Sequence, residues 1–270
     1  MRKIIAILVL TSYLLFVTCL VQAFKAREKL VVTFCDIGQG DGAFIRTPEK
    51  HDILIDTGPD ASILKCIGSN MPFWDRKIDL IILSHFNLDH VAGVIDIINR
   101  YKVERIAVST TNTQRQDVNN YMMLFKDKNI DLDDIDINDK YKIEEGIVIT
   151  AFGPIDSPGL IEENDSSLVQ LLSYKNYDFL FTGDVSFELL NPILDRLGRT
   201  VEVLKVPHHG SKTGLNEESF KNFKPKIAVI SSGKKNRYGH PTKEVLNLLE
   251  ENEIQIRRTD REGNIQFVLK

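Results

Sequence analysis

Leu80-Ile81-Ile82-Leu83-Ser84-His85-Phe86-Asn87-Leu88-Asp89-His90 joins a short, unbroken apolar run to a cluster of two histidines and an aspartate. Apolar residues in succession, without alternation, predict a strand buried on both faces. The residues that follow, Val91–Asn99, have helical composition, so the cluster occupies the turn between strand and helix. Imidazole nitrogen and carboxylate oxygen are the usual ligands of zinc, manganese and iron. A turn at the end of a buried strand can converge such side chains on one point. A solvated turn is the competing reading, but the His-x-x-x-Asp-His spacing at a buried strand end argues for a metal.

Working outward, Leu30–Cys35, Ala43–Arg46 and Ile53–Asp56 read as strands around a Gly-rich turn at Ile37–Gly42. Ala61–Cys66 has helical composition, and Arg105–Val108 reads as a strand. Asp131–Asp139 lacks the Gly and terminal Glu of a calcium loop and reads as a solvated surface loop. The second half repeats the alternation. Strands are predicted at Leu168–Tyr174, Phe179–Thr182, Val203–Val206, Ile227–Ile230, Ile254–Arg258 and Ile265–Leu269, with helices at Phe187–Leu197 and Thr242–Glu251. Hairpins mixed with βα units in one chain predict an α/β domain of two sheets with helices on the outer faces.

Three more motifs follow predicted strands or precede a helix. Phe181-Thr182-Gly183-Asp184 places an acid directly after a strand, and Pro207-His208-His209-Gly210 places two histidines after another. Tyr238-Gly239-His240-Pro241 sets a last histidine before a helix; alone, it is as well suited to packing as to reaction. The chain has 6 histidines, and His85, His90, His208 and His209 all fall in the two densest clusters. His51 has no such context.

The 270 residues suffice for one large α/β domain, and 43% hydrophobic with 27% charged residues exclude disorder as the default. A net charge of -4 excludes a global basic footprint for nucleic acid, though not a local basic rim. Cys19, Cys35 and Cys66 form no CxxC pair, so they predict free buried thiols, with neither a disulfide framework nor a thiolate metal site. Arg2 and Lys3 precede an uncharged stretch from Ile4 to Phe24, about the length of a membrane-spanning helix. An anchor over residues 1–28 is expected ahead of a domain at 29–270. The alternative is a cleaved signal peptide ending near Val21-Gln22-Ala23, which would release a secreted protein. Lys25, Arg27 and Lys29 follow the segment, so charge bias does not settle orientation. The expected arrangement places the domain outside the cytoplasm.

Eight ordered stretches resemble the metallo-β-lactamase superfamily, and within it the C-terminal hydrolase domain of ComEC-type competence proteins. They are Phe34–Asp41, Leu54–Gly58, Leu83–His90, Asn164–Val169, Thr182–Asp184, Lys205–Lys212, Gly239–Pro241 and Arg258–Asp260. The resemblance covers Val31 to Phe267. It implies an αββα sandwich with metals held at one edge where the sheets meet. It also implies that His85, Asp89, His90 and Asp184 bind metal, that Asp184 bridges two ions, and that His208 or His209 is the last ligand, the glycine that follows favouring His209. Asp36, Gln39 and Asp41 match a turn beneath the site, and Asp56 an acid that supports the ligands.

Two departures from that pattern matter. Position 87 is Asn where ComEC-type domains carry Asp, and Asn164–Ser167 stand where the wider superfamily has a further histidine. The pocket of His85, Asn87 and Asp184 should therefore bind metal more weakly than that of Asp89, His90, Asp184 and His208 or His209. One or two divalent ions per chain, zinc or manganese, are expected.

The implied chemistry is metal-assisted hydrolysis. In it Asp89 would orient water, and His240 would neutralise developing charge or protonate the leaving group. Lys212, Lys234, Lys235 and Arg237 flank the histidine motifs and suit an anionic substrate, with DNA a candidate. An envelope-ester hydrolase of the same fold and a catalytically silent accessory module remain as alternatives, the second supported by Asn87.

Overall fold

A computed structural model describes residues 2–25, 29–109, 116–153 and 163–270; Arg27, one of the basic residues after the apolar segment, lies outside them. Helix α1, Arg2–Lys25, comes first. Its side chains are described over 7–19, and those are exposed. Among the described residues, no helix is long and apolar enough to cross a membrane.

The domain opens with β1 (Leu30–Phe34), β2 (Gly42–Arg46) and β3 (Asp52–Thr57), then α2 (Ile63–Asn70) and β4 (Lys77–Ile82). Helices α3 (Leu88–Val91) and α4 (Val94–Arg100), strand β5 (Lys102–Val108), helix α5 (Gln116–Asp127) and strand β6 (Asp131–Asp134) complete its first half. The second half runs β7 (Lys140–Glu144), β8 (Ile147–Ala151), β9 (Gln170–Tyr174), β10 (Tyr177–Phe181), α6 (Phe187–Leu197), β11 (Val203–Lys205) and β12 (Ile227–Ile230). It ends with α7 (Lys243–Glu251), β13 (Gln255–Arg258), α8 (Thr259–Glu262) and β14 (Ile265–Leu269).

Among the described residues the strands form two seven-stranded mixed sheets, ordered β14-β1-β2-β3-β4-β5-β6 and β13-β12-β11-β10-β9-β8-β7. The last strand thus returns to the first sheet, with Leu30 paired to Leu269. Three apolar layers follow from the two-residue period of strands. Val32, Phe34, Ile53, Ile55, Leu80 and Ile82 face Ile149, Leu172, Phe179 and Phe181 between the sheets. Leu54, Ile78, Ile81 and Leu83 point the other way, against Ile63, Ile67, Val94, Ile97 and Phe125 of α2, α4 and α5. Leu171, Leu180, Leu204 and Ile230 meet Leu190, Ile193, Val245 and Leu249 of α6 and α7. This is the αββα sandwich, and it explains why β4 carries an unbroken apolar run: it is buried on both faces.

Three expectations are corrected. Cys35 and Cys66 are not free thiols: they form a disulfide from the end of β1 to α2, with Cα atoms 5.7 Å apart. Their proximity arises from packing α2 on the sheet, which spacing of 31 residues cannot reveal. Asp131–Asp134 is not loop but β6, paired parallel to β5 at the sheet edge. Exposed carboxylates suit an edge strand, and the open edge of β5 recruits it against its local propensity. The predicted single helix over Val91–Asn99 is broken at Ala92–Gly93 into α3 and α4. A Cβ at Gly93 would stand 2.2 Å from the Thr57 carbonyl oxygen, so only glycine allows this contact.

Candidate metal centre

Asp89, His90, Asp184 and His209 bring one ligand atom each within 4.8 Å of one another. They arrive from three places at the same edge of the sandwich. Asp89 and His90 lie in α3, after β4; Asp184 follows β10; His209 follows β11. His90 Nε2 stands 3.2 Å from Asp184 Oδ1, and His209 Nε2 3.2 Å from Asp89 Oδ2 and 3.4 Å from Asp184 Oδ2. His90 Nε2 and Asp184 Oδ1 are buried and close, yet neither has a partner in hydrogen-bonding geometry. Two potential ligand atoms buried this close without a hydrogen bond are what a shared cation, taking the place of a proton, reconciles, and the nitrogen-and-oxygen donor set fits zinc or manganese.

The surrounding side chains fix these donors. Asp56 accepts from the Ser84 backbone N–H and hydroxyl, both at 2.7 Å, and its Oδ2 lies 2.9 Å from His90 Nδ1. A carboxylate on the far ring nitrogen turns Nε2 toward the cluster. His209 is oriented likewise, with Nδ1 3.0 Å from the Ser231 carbonyl and 3.3 Å from Asp41. His208 and His209 both hold left-handed φ, 49° and 54°, which side-chain-bearing residues rarely adopt. The His208 N–H donates to the Gly183 carbonyl and the Thr242 N–H to that of Gly210, so neighbouring loops hold this strained turn. Gly40 lets the 36–41 turn close on the cluster. A Cβ there would lie 2.2 Å from the Asp89 carbonyl oxygen, which accepts from the Asp41 N–H.

The other residues singled out in the sequence take distinct places. The ring of His85 lies 4.1 Å from that of His90, and its Nδ1 is 3.0 Å from Ser84 Oγ and 3.3 Å from Ser167 Oγ. Asn87 donates to Asn164 Oδ1 at 2.6 Å, on the wall of the cleft. His208 stands at the rim, Nε2 3.9 Å from Asp184. The His240 ring is 5.6 Å from that of His208, and its Nδ1 is buried without a hydrogen-bond partner. Gln39 reaches the cleft and Asp41 lies under it, whereas Asp36 is exposed. The cleft has a volume of about 360 Å³.

Lys205 had no role in the sequence reading beyond its place in a motif. It is buried, ion-paired to Asp41, donates to the Gly183 carbonyl at 3.0 Å and lies 3.8 Å from Asp184. The signal available was a lysine closing an otherwise apolar strand. Electrostatics follow from this crowding. Burial is the largest influence on Asp41 and favours its neutral form, but Lys205 and His209 outweigh it and bring its pKa to about 2. Burial likewise opposes ionisation of Asp184, and His209 and His90 hold its pKa well below the carboxylate range. Burial lowers His85 to about 3, with His90 adding to the effect, so that ring stays neutral.

Fold and site together define a metal-dependent hydrolase of the αββα type. The chain belongs to the metallo-beta-lactamase superfamily, whose family model matches residues 36–234. It is 30% identical over 257 residues to ComE operon protein 3 of Bacillus subtilis (strain 168), covering 88% of this chain and 33% of that protein. It is 27% identical to competence protein ComA of Neisseria gonorrhoeae, covering 90% of this chain and 33% of that one. The chain thus spans about a third of the length of these relatives. CmlA, a diiron beta-hydroxylase from Streptomyces venezuelae, shares the fold at 12% identity, with a TM-score of 0.63 over 90% of this chain and 54% of that one.

Proposed function

We propose that this hydrolase cleaves phosphodiester bonds in an anionic polymer, with DNA the leading candidate, outside the cytoplasm at a membrane to which residues 1–28 tether it. The observation that carries the reading is the open cleft over the Asp89, His90, Asp184 and His209 donors. One rim of it is the loop holding Tyr238 and His240, in which Lys234, Lys235 and Arg237 are exposed. Exposed cations meet phosphates, and the exposed Tyr238 ring, with the Arg237 guanidinium 5.3 Å from its centre, offers a face on which a base can stack. The Cys35–Cys66 disulfide supports an oxidising compartment.

A divalent cation, when bound, supplies the Lewis acidity that lowers the pKa of water. Asp89, part-exposed and held through its backbone by Asp41, is placed to orient that water. Burial, with His208 next, brings the His240 pKa to about 4, so it is a neutral imidazole at neutral pH. An anionic phosphate beside it raises that value and lets it share a proton with the leaving oxygen.

The test is turnover of bis(p-nitrophenyl) phosphate and of linear DNA with added manganese, beside a carboxylic ester. The chain should cleave the two phosphodiesters, and Asp89→Ala and Asp184→Ala should each lose more than about 100-fold while keeping their circular dichroism. Cleavage of the carboxylic ester alone would establish the ester-hydrolase alternative. Metal binding without turnover of any substrate would establish a silent module.

A further inference from the structure

Phe73 and Trp74 are 79% and 72% exposed, more so than any other large hydrophobic side chain described in the domain. They are adjacent and touch edge to face, with ring centroids 4.9 Å apart. Isolated exposed apolar side chains are ordinary, but two neighbouring aromatic rings turned largely to solvent are not. Their loop follows α2 and leads into β4, so it lies at the start of the strand whose far end carries Ser84 and His85.

That end is also where the chain enters the domain. Val31 pairs with Arg46, and Arg46 Nη2 lies 3.1 Å from Asp75 Oδ2, directly beside Trp74. Leu30 follows the end of α1 at Lys25 by only five residues, an extended reach of about 17 Å. A segment uncharged from Ile4 to Phe24, once in a bilayer, would therefore hold this end of the sandwich against the membrane surface. Tryptophan is favoured at the headgroup level, where its ring is apolar and its N–H wet, and the apolar Phe73 ring beside it can insert deeper. Arg76, two residues after Trp74, is exposed, which suits anionic headgroups.

We propose that the Phe73–Trp74 loop is a second membrane contact, seating the domain on the bilayer surface with the metal cleft facing away. This rests on the membrane-tether reading. The six residues of β4 separate the aromatic pair from the cluster turn by about 20 Å, so a polymeric substrate would reach the cleft from the aqueous side.

Trp74 is the only tryptophan in the chain, so its fluorescence reports this contact directly. The full chain is reconstituted into vesicles of equimolar phosphatidylcholine and phosphatidylglycerol and floated on a density gradient. Trp74 emission is then read with acrylamide in the water and with acyl-brominated phosphatidylcholine in the bilayer. The proposal expects co-flotation, a blue shift, acrylamide quenching at least halved relative to the free indole, and emission at least halved by brominated lipid. Phe73→Ser, a change at an exposed site, should float equally well and lose most of the lipid quenching. Flotation with Trp74 open to acrylamide and unquenched by lipid would overturn the loop contact and leave the tether standing. Failure to float would overturn the tether and the contact with it. Protection from acrylamide without lipid quenching would assign the pair to a protein partner, such as a second copy. Undiminished lipid quenching in Phe73→Ser would show that the pair does not act together.

Discussion

His90 and His209 approach Asp184 from two sides, and each has a further carboxylate at its other nitrogen, Asp56 for His90 and Asp41 for His209. Burial is the largest influence on each ring and opposes its charge. Asp184 with Asp56, and Asp184 with Asp41, outweigh it and hold both pKa values well above the ordinary 6.5. In the metal-free chain these ion pairs stabilise the fold fully below 6.5, and that contribution is lost as pH rises through the raised values. Metal must displace the protons, so uptake should release them, and apparent affinity should rise with pH above neutrality and fall below it. Calorimetric titration of zinc in two buffers of different ionisation enthalpy measures this; absence of proton release would remove both rings from the ligand set. At Asn87, a neutral amide faces Asn164 on the cleft wall. Asn87→Asp adds an anionic donor near Asp89 and Asp184, and the Asn164 amide can turn to donate to it. The expected outcome is tighter binding of a second ion, read as stoichiometry in a manganese titration. Unchanged stoichiometry would place residue 87 outside the metal's reach.

The 36–41 turn illustrates how an element serves the site. It hangs between Cys35, bonded to Cys66 of α2, and Gly42, which opens β2, and it delivers Gln39 to the cleft and Asp41 beneath it. The disulfide closes a loop across 31 residues. Removing such a cross-link frees the unfolded chain, at a stability cost of about 4 kcal/mol. Cys35→Ser and Cys66→Ser should each show that loss in urea denaturation, as should the native chain under dithiothreitol. Because the turn carries Asp41, metal affinity should weaken as well. Unaltered stability under reduction would mean that the packing of α2 against Ile37 and Phe44 suffices on its own.

Across the whole molecule, the centre is assembled from both halves of the chain, with Asp89 and His90 from the first sheet's side and Asp184 and His209 from the second's. A cation that binds all four therefore binds only the folded state and couples the two sheets. At a free metal concentration of about 100 times Kd, such linkage adds about 2.7 kcal/mol. For a domain of this size that is a rise in Tm of roughly 5–10 °C. Thermal unfolding with and without zinc or manganese should show it in the native chain and not in Asp184→Ala. An equal rise in both would locate the binding elsewhere.

The local sequence determined much of this. The unbroken apolar run at Leu80–Leu83 and the helical spans Phe187–Leu197 and Thr242–Glu251 carry patterns that burial demands, so they could be read directly, whereas the edge strands β6 and β7 could not. The candidate donors were legible for a related reason: histidines and acids placed directly after buried strands have few other uses. Tertiary structure alone decided the rest. The pairing of Cys35 with Cys66, the recruitment of Asp131–Asp134 as an edge strand and the burial of Lys205 against Asp41 all depend on which surfaces meet. So does the choice of His209 over His208 for the buried place in the cluster. In sequence only the glycine after the pair sets His209 apart from His208. The left-handed backbone at 208–209, held by loops distant in the chain, turns one ring inward to Asp89 and Asp184 and leaves the other at the rim.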